Sequence, residues 1–377
     1  MCFLTYSKRG FLLTIKDESL VNVALFNGSK RFDGITSIML QYKTALKATG
    51  YRVDWYQLMD TENKDDYVTD GVSICGVRTG IETVSMGINR LYHFPRKSKH
   101  IKYEIAFVAD PTLAKVTTCQ RKTIIHFHDL RPLTKYGDKI TTRALFNFLL
   151  PSIKKFDIII VPSSPVREHL VELGFKEDRI RMIHETTHIA RNEGHISNSS
   201  TRIRKLGEVR ALYIAQDRPY KGIDFFLRIA ETSQNLGLNI RFCLVSKLRK
   251  PTLKLAHKLA LDNLTIITHA EDITAAYNNA DVFVDPSAYE GFGLPIIESM
   301  TFGIPVIANH IQPFDEILAG SGVLLETSDP QKWTEEIMKL IQVNAYISAA
   351  KRSYERFDYF SPERFRSRVA RVFGELS

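Results

Sequence analysis

At 377 residues, with 44% hydrophobic and 25% charged residues, the chain is longer than one hydrophobic core usually organises and too ordinary in composition to be disordered or fibrous. Two domains are therefore expected, and uninterrupted apolar stretches such as 148–150 and 158–161 fall far short of the about 20 residues a membrane-spanning helix needs, so none is expected. The formal charge of +9 sits in the N-terminal half: residues 1–195 carry 29 Lys/Arg against 21 Asp/Glu, and residues 196–377 carry 22 against 21. That excess either serves solubility alone or marks an anionic partner, which would be a phospholipid surface, a lipid-linked phosphate or a nucleic acid.

The opening MCFLTYSKRGFLLTIK is broken by Lys8 and Arg9 and lacks a sustained apolar region with a small-residue cleavage site, so secretion is not expected. Cys2, Cys75, Cys119 and Cys243 are scattered without a CxxC pair, which reads as reduced thiols in a cytoplasm rather than a disulfide framework or zinc site. Val21–Phe26 reads as a strand ending in Asn27-Gly28, and a helix with apolar positions from Ile35 to Leu46 opens at Gly34. Strands are expected at 52–57, 103–108, 123–128, 156–161 and 181–184, with a helix started by Ser164-Pro165.

Residues 191–207 are polar without a period and read as the connection between domains 1–195 and 196–360. Beyond it, strands are expected at 209–215, 240–245, 264–268, 281–285, 304–308 and 323–325, alternating with helices. A last helix, 361–377, carries Phe365, Val369 and Phe373 on one face and is expected to pack back on the first domain. Alternation of short apolar strands with helices implies two parallel sheets, each covered on both faces, with a cleft between them. Ligands of such sheets lie beyond the carboxyl ends of the strands.

The stretch from Asp281 to Ala308 joins a strand, a glycine-rich loop and a helix opened by Pro295. Gly291 and Gly293 allow close backbone approach, and the N–H groups of Phe292, Gly293 and Leu294 offer donors suited to a diphosphate. Glu290 and Glu298 would border the same pocket, and a carboxylate can accept two hydrogen bonds from a vicinal diol. The segment 90–102 mixes Arg90, Arg96, Lys97, Lys99 and Lys102 with Tyr92 and Phe94, a combination found at membrane interfaces and nucleic-acid surfaces and also in solvated loops.

The sequence EGFGLPIIE, with glutamates at 290 and 298, resembles the E-x7-E signature of glycosyltransferase family 4 (GT4, group 1), whose members are retaining enzymes of GT-B fold. The flanking AAYNNADVFVDPS, GIPVIA and GVLLE are similar to that family in order and spacing, over roughly residues 209–340. Lys221-Gly222 resembles the family's basic donor-phosphate site, although Gln216 stands where the family commonly has arginine and Arg218 is the nearby substitute. HFHDL resembles the family's His-Asp pair near the sugar, with His128 the better-aligned histidine; Gly28 and Gly34 resemble its N-terminal glycine loop.

The resemblance implies a nucleoside-diphosphate sugar as donor, a saccharide or lipid-linked acceptor, and transfer with retention. His128, Glu290 and Lys221 would be catalytic, and Glu298, Arg218, Phe292, Gly293, Leu294 and Gly34 would bind the donor. No Asp-x-Asp triplet is present to hold a metal on the diphosphate, so no metal or other cofactor is expected. A cytoplasmic, peripheral membrane location fits such an acceptor, with nucleic acid the less favoured partner. Two other readings stay open: a sugar-nucleotide epimerase of the same architecture, and a non-catalytic sugar-nucleotide- or nucleic-acid-binding protein.

Overall fold

The structure is a computed structural model describing residues 20–28, 34–59, 72–76, 85, 87–100, 102–116, 122–137, 140–268 and 272–376. The opening segment, Cys2 and Cys119 lie outside the described residues, and Cys243 is a half-buried free thiol.

A first sheet contains β1 (Asn22–Asn27), β2 (Arg52–Met59), β3 (Val72–Cys75), β4 (Ile105–Val108), β5 (Lys122–His126), β6 (Ile158–Val161) and β7 (Ile180–Met182), in the order β3-β2-β1-β4-β5-β6-β7. A second contains β8 (Val209–Ile214), β9 (Ile240–Val245), β10 (Leu264–Ile267), β11 (Val282–Asp285), β12 (Val306–Asn309) and β13 (Val323–Leu325), in the order β10-β9-β8-β11-β12-β13. All pairings are parallel. Two doubly wound sheets of this kind are the GT-B architecture.

Strands such as Ile158–Val161 and Val282–Asp285 are buried at every position, which explains the apolar runs 158–161 and 282–284: helices cover both faces, so no side chain turns to water. Strand order reverses between β1 and β4 in one sheet and between β8 and β11 in the other. Those switch points open crevices at the strand ends and fix where a ligand can enter.

The helix Pro362–Gly374 begins at Ser361, whose hydroxyl accepts from the Arg364 amide, and buries Phe365, Val369, Val372 and Phe373. Phe365 meets Tyr42 at 4.9 Å between ring centroids and Phe373 meets Phe107 at 5.5 Å, so the chain's last helix packs on the first sheet's layer.

Three expectations need correction. The connection at 191–207 contains the helix His195–Leu206; its buried positions His195, Ser199, Ser200 and Ile203 have four-residue spacing but are mostly polar, which hides the period. Residues 90–100 are not a loop: Pro95 opens the helix Phe94–Ser98, Phe94 is buried, and Arg90 turns inward to pair with Asp110 at 3.4 Å, while Arg96, Lys97 and Lys99 stay exposed. Finally, β3 has no counterpart in the sequence reading because four residues at a sheet edge give too short a pattern.

Candidate active site

In the second sheet, the loops after β8 and β11 are tied together beneath the switch point. The Tyr213 hydroxyl donates to the Lys221 carbonyl and lies 3.0 Å from Ser287 Oγ, while the Ser287 amide donates to Asp285 at 3.0 Å. This frame delivers Lys221 to Glu290, with which it forms an ion pair; the two side chains are only 17% and 14% exposed. Burial alone would lower the Lys221 pKa, but the charges of Glu290 and Asp285 outweigh it and raise the value, so the ammonium is held charged. Burial pushes the carboxyls of Glu290 and Asp285 up despite the neighbouring lysine.

The glycine loop passes close to the opposite half. A Cβ on Gly291 would stand 2.0 Å from the His128 carbonyl oxygen, so only glycine fits, and Gly293 has φ +134°, a conformation other residues rarely adopt. Phe292 is buried against His184 and Phe360, which leaves its backbone rather than its ring for a ligand. The amides of Phe292, Gly293 and Leu294 donate to no backbone carbonyl among the described residues. Glu298 accepts from the Tyr277 hydroxyl at 2.7 Å, and burial raises its pKa against that hydrogen bond and the nearby His188. Gly34 approaches the same place from the first half, with Leu294 Cδ1 3.7 Å from where its Cβ would be.

The N-terminal wall is built from the ends of β5 and β7. His126 and His128 lie on the same side, with ring centroids 4.1 Å apart, while Phe127 points into the core against Phe146 and Phe175. Both histidines face Glu185: its Oε1 is 3.1 Å from His128 Nδ1 and 3.8 Å from His126 Nε2. Burial, then the neighbouring His128, drives the His126 pKa well below the ordinary value, so that ring is neutral. Asp129 accepts from the Arg131 amide at 3.0 Å, closing the turn after β5.

Contacts between the halves border this region. The Ser163 hydroxyl donates to the Gly291 carbonyl at 2.7 Å, the Leu130 amide to Tyr289 Oη at 3.1 Å, and the Ser164 amide to Glu316 at 2.8 Å. His184 pairs with Glu316, and Arg131 with the Tyr220 hydroxyl. A cavity of about 460 Å³ between the halves is lined by Glu168, His169, Tyr289, Glu290 and Gln312 among others.

The pattern of glycosyl transferases group 1 matches residues 199–357, and that of glycosyltransferase family 4 matches residues 32–191. The chain belongs to the group 1 glycosyltransferases, family 4. It is 24% identical over 253 residues to the O-antigen chain mannosyltransferase RfbU of Salmonella typhimurium, covering 63% of this chain and 66% of that protein. It is 24% identical over 249 residues to the serotype-specific mannosyltransferase WbdA of Escherichia coli, covering 61% of this chain and 30% of that protein. Each match thus spans less than two thirds of the relative's length.

Among solved structures, sucrose-phosphate synthase from Thermosynechococcus elongatus superposes with TM-score 0.76 at 19% identity, over 94% of this chain and 99% of that one. Anabaena HepE, solved with UDP and glucose, superposes with TM-score 0.72 at 14% identity, over 93% and 99%.

Within this family member, Lys221 and Glu290 meet directly, and Gly34 meets the loop of Gly293 and Leu294. Arg218 lies half-buried at the start of the turn Pro219–Lys221, and Gln216 is exposed. Several neighbours escaped the sequence reading. Tyr277 and Asp285 lie in AAYNNADVFVDPS without an assigned role, and Glu185 follows the strand expected at 181–184. Arg249, fixed by two hydrogen bonds to Asp217 at 2.6 and 3.2 Å, lies in the loop after β9. The contacts of Tyr277 with Glu298, of Asp285 with Ser287 and of Glu185 with His128 are made only by the fold.

Proposed function

We propose that the chain transfers a sugar from a nucleoside-diphosphate sugar to a hydroxyl acceptor, with retention at the anomeric carbon. The observation that carries this reading is the buried Lys221 held charged beside the glycine loop at the switch point of the second sheet, with Glu298 one turn further into the helix. Lys221, with Arg218 beside it, and the loop amides of Phe292, Gly293 and Leu294 would oppose the charge that grows on the diphosphate as the sugar–oxygen bond breaks, before any reorganisation is needed. Glu298, held by Tyr277, would accept from the ribose diol. Glu290 keeps Lys221 charged and borders the sugar.

The acceptor oxygen attacks the face from which the diphosphate leaves, and its proton passes to the departing phosphate oxygen. His128 borders the sugar from the opposite wall, with Nδ1 toward Glu185 and Nε2 left to accept from a hydroxyl. Lysine and backbone donors supply the neutralisation that a metal on the diphosphate would otherwise give, so transfer proceeds without one. Closure of the halves excludes water that would hydrolyse the donor.

The mannosyltransferase relatives favour a mannosyl nucleotide as donor and a growing saccharide as acceptor. The basic N-terminal half, with Arg96, Lys97 and Lys99 exposed next to Tyr92 at 63% exposure, favours a lipid-linked acceptor met at a cytoplasmic, anionic membrane surface. Among the described residues no helix is long and apolar enough to cross a membrane.

The test is an assay of nucleoside diphosphate release from a panel of sugar nucleotides with saccharide acceptors, in the presence of EDTA. Acceptor-dependent release supports transfer. Conversion of the donor to an isomeric sugar nucleotide would indicate an epimerase, and no consumption of any donor would contradict the reading.

A further inference from the structure

The wall formed by His126, His128 and Glu185 has more ligating capacity than a sugar contact uses. Strand alternation puts both imidazoles on one side of the β5 end, and the turn after β7 brings a carboxylate that is only 3% exposed against them. The three ligating atoms lie within 4.8 Å of one another. Bonds of about 2.0–2.2 Å at a tetrahedral angle place ligand atoms roughly 3.4 Å apart, between the 3.1 and 3.8 Å separations found here. Seating an ion therefore draws the two imidazole nitrogens together around the carboxylate, within the 4.8 Å that bounds the cluster.

The surroundings supply an independent observation. His126 is fully buried, and neither of its ring nitrogens has a hydrogen-bond partner. His128 Nε2, Tyr42 Oη and Thr186 Oγ1 are likewise buried without one, and the Tyr42 ring stands 5.5 Å from the His126 ring. Buried polar atoms are almost always paired, so the unpartnered His126 Nε2, 3.8 Å from the Glu185 carboxylate, calls for a bound group between them.

We propose that His126, His128 and Glu185 bind a divalent transition ion of the zinc class. Two nitrogens and one carboxylate oxygen suit such an ion, whereas magnesium and calcium take oxygen ligands. The site is separate from the donor diphosphate and does not depend on the sugar-nucleotide reading. It has one consequence for His128. Without the ion, Nδ1–H donates to Glu185 and Nε2 accepts; with the ion on Nδ1, the ring's proton moves to Nε2, which then donates. Occupancy therefore reverses the polarity that His128 presents through Nε2.

The test titrates the full-length, metal-stripped chain with zinc chloride by calorimetry and with cobalt(II) by visible absorption. The expected result is one zinc per chain with a dissociation constant on the order of micromolar or tighter, and cobalt bands of a four-coordinate site. Glu185→Gln keeps the shape of the carboxylate and His126→Phe keeps the edge-to-face contact with Tyr42, with folding checked by circular dichroism. Each variant is expected to weaken zinc roughly a hundredfold and to lose the cobalt bands. Absence of zinc binding overturns the proposal. So does binding unchanged in a folded variant, which would place the ion at a surface histidine such as His310, 3.2 Å from Asp315.

Discussion

Replacing Lys221 by methionine keeps the length of the stem and removes the charge, which isolates what the ion pair does. Its partner Glu290 is 14% exposed and Asp285 is 1% exposed, and burial already raises both carboxyls. Removing one member of a buried pair costs about 3–5 kcal/mol, because the other charge stays desolvated without compensation. Both side chains keep some contact with water here, so the lower end, about 3 kcal/mol, is expected. Glu290 should then take up a proton at higher pH than in the parent protein.

Urea unfolding, followed by fluorescence of the buried Trp55 and Trp333, measures the loss. Adding Glu290→Gln to the lysine variant should restore most of it, giving a coupling of about 2 kcal/mol in a double-mutant cycle. Single variants within about 0.5 kcal/mol of the parent, or an additive cycle, would refute the claim that the lysine is held by these carboxylates.

Tyr277→Phe removes the hydrogen bond that Glu298 accepts at 2.7 Å. Such a bond to a charged acceptor is worth about 1.5–3 kcal/mol, so nucleotide affinity should fall roughly tenfold. Because that bond lowers the Glu298 pKa, the loss should grow as the solution is acidified; calorimetry at two pH values giving parent-like affinity at both would contradict this. Gly291→Ala places a Cβ 2.0 Å from the His128 carbonyl, an overpacking that costs about 1–3 kcal/mol; the unfolding midpoint should fall by several degrees, and an unchanged midpoint refutes the close approach. His195 is pulled to about 4, chiefly by burial and then by Arg202, from an ordinary 6.5. The unfolded chain therefore binds a proton that the folded chain refuses, so stability is full above 6.5 and declines as pH falls toward 4, by up to about 3 kcal/mol. His195→Asn should flatten that window, and a slope equal to the parent's would contradict the assignment.

Architecture was legible because buried parallel strands must be apolar on both faces, so 158–161 and 282–284 stand out in the sequence. Glycines 291 and 293 between two glutamates were legible for a similar reason: close approach and unusual φ leave no other residue possible. The helix His195–Leu206 was not, because it buries serines and a histidine instead of aliphatic residues. Nor was the pairing of Lys221 with Glu290, which are far apart in sequence and meet only when the loops after β8 and β11 are brought side by side. Glu185 escaped for the same reason: its meaning comes from two histidines on a neighbouring loop, and no spacing along the chain records that.

The most direct test of the donor site is calorimetric binding of nucleoside diphosphates and their sugars, without added metal, to the full chain and to Glu298→Ala. Affinity on the order of micromolar for one nucleotide, lost in the folded variant, is the predicted result and would identify the base. No binding by any member of the panel to folded protein would contradict the assignment of Lys221, Glu298 and the glycine loop to a sugar nucleotide.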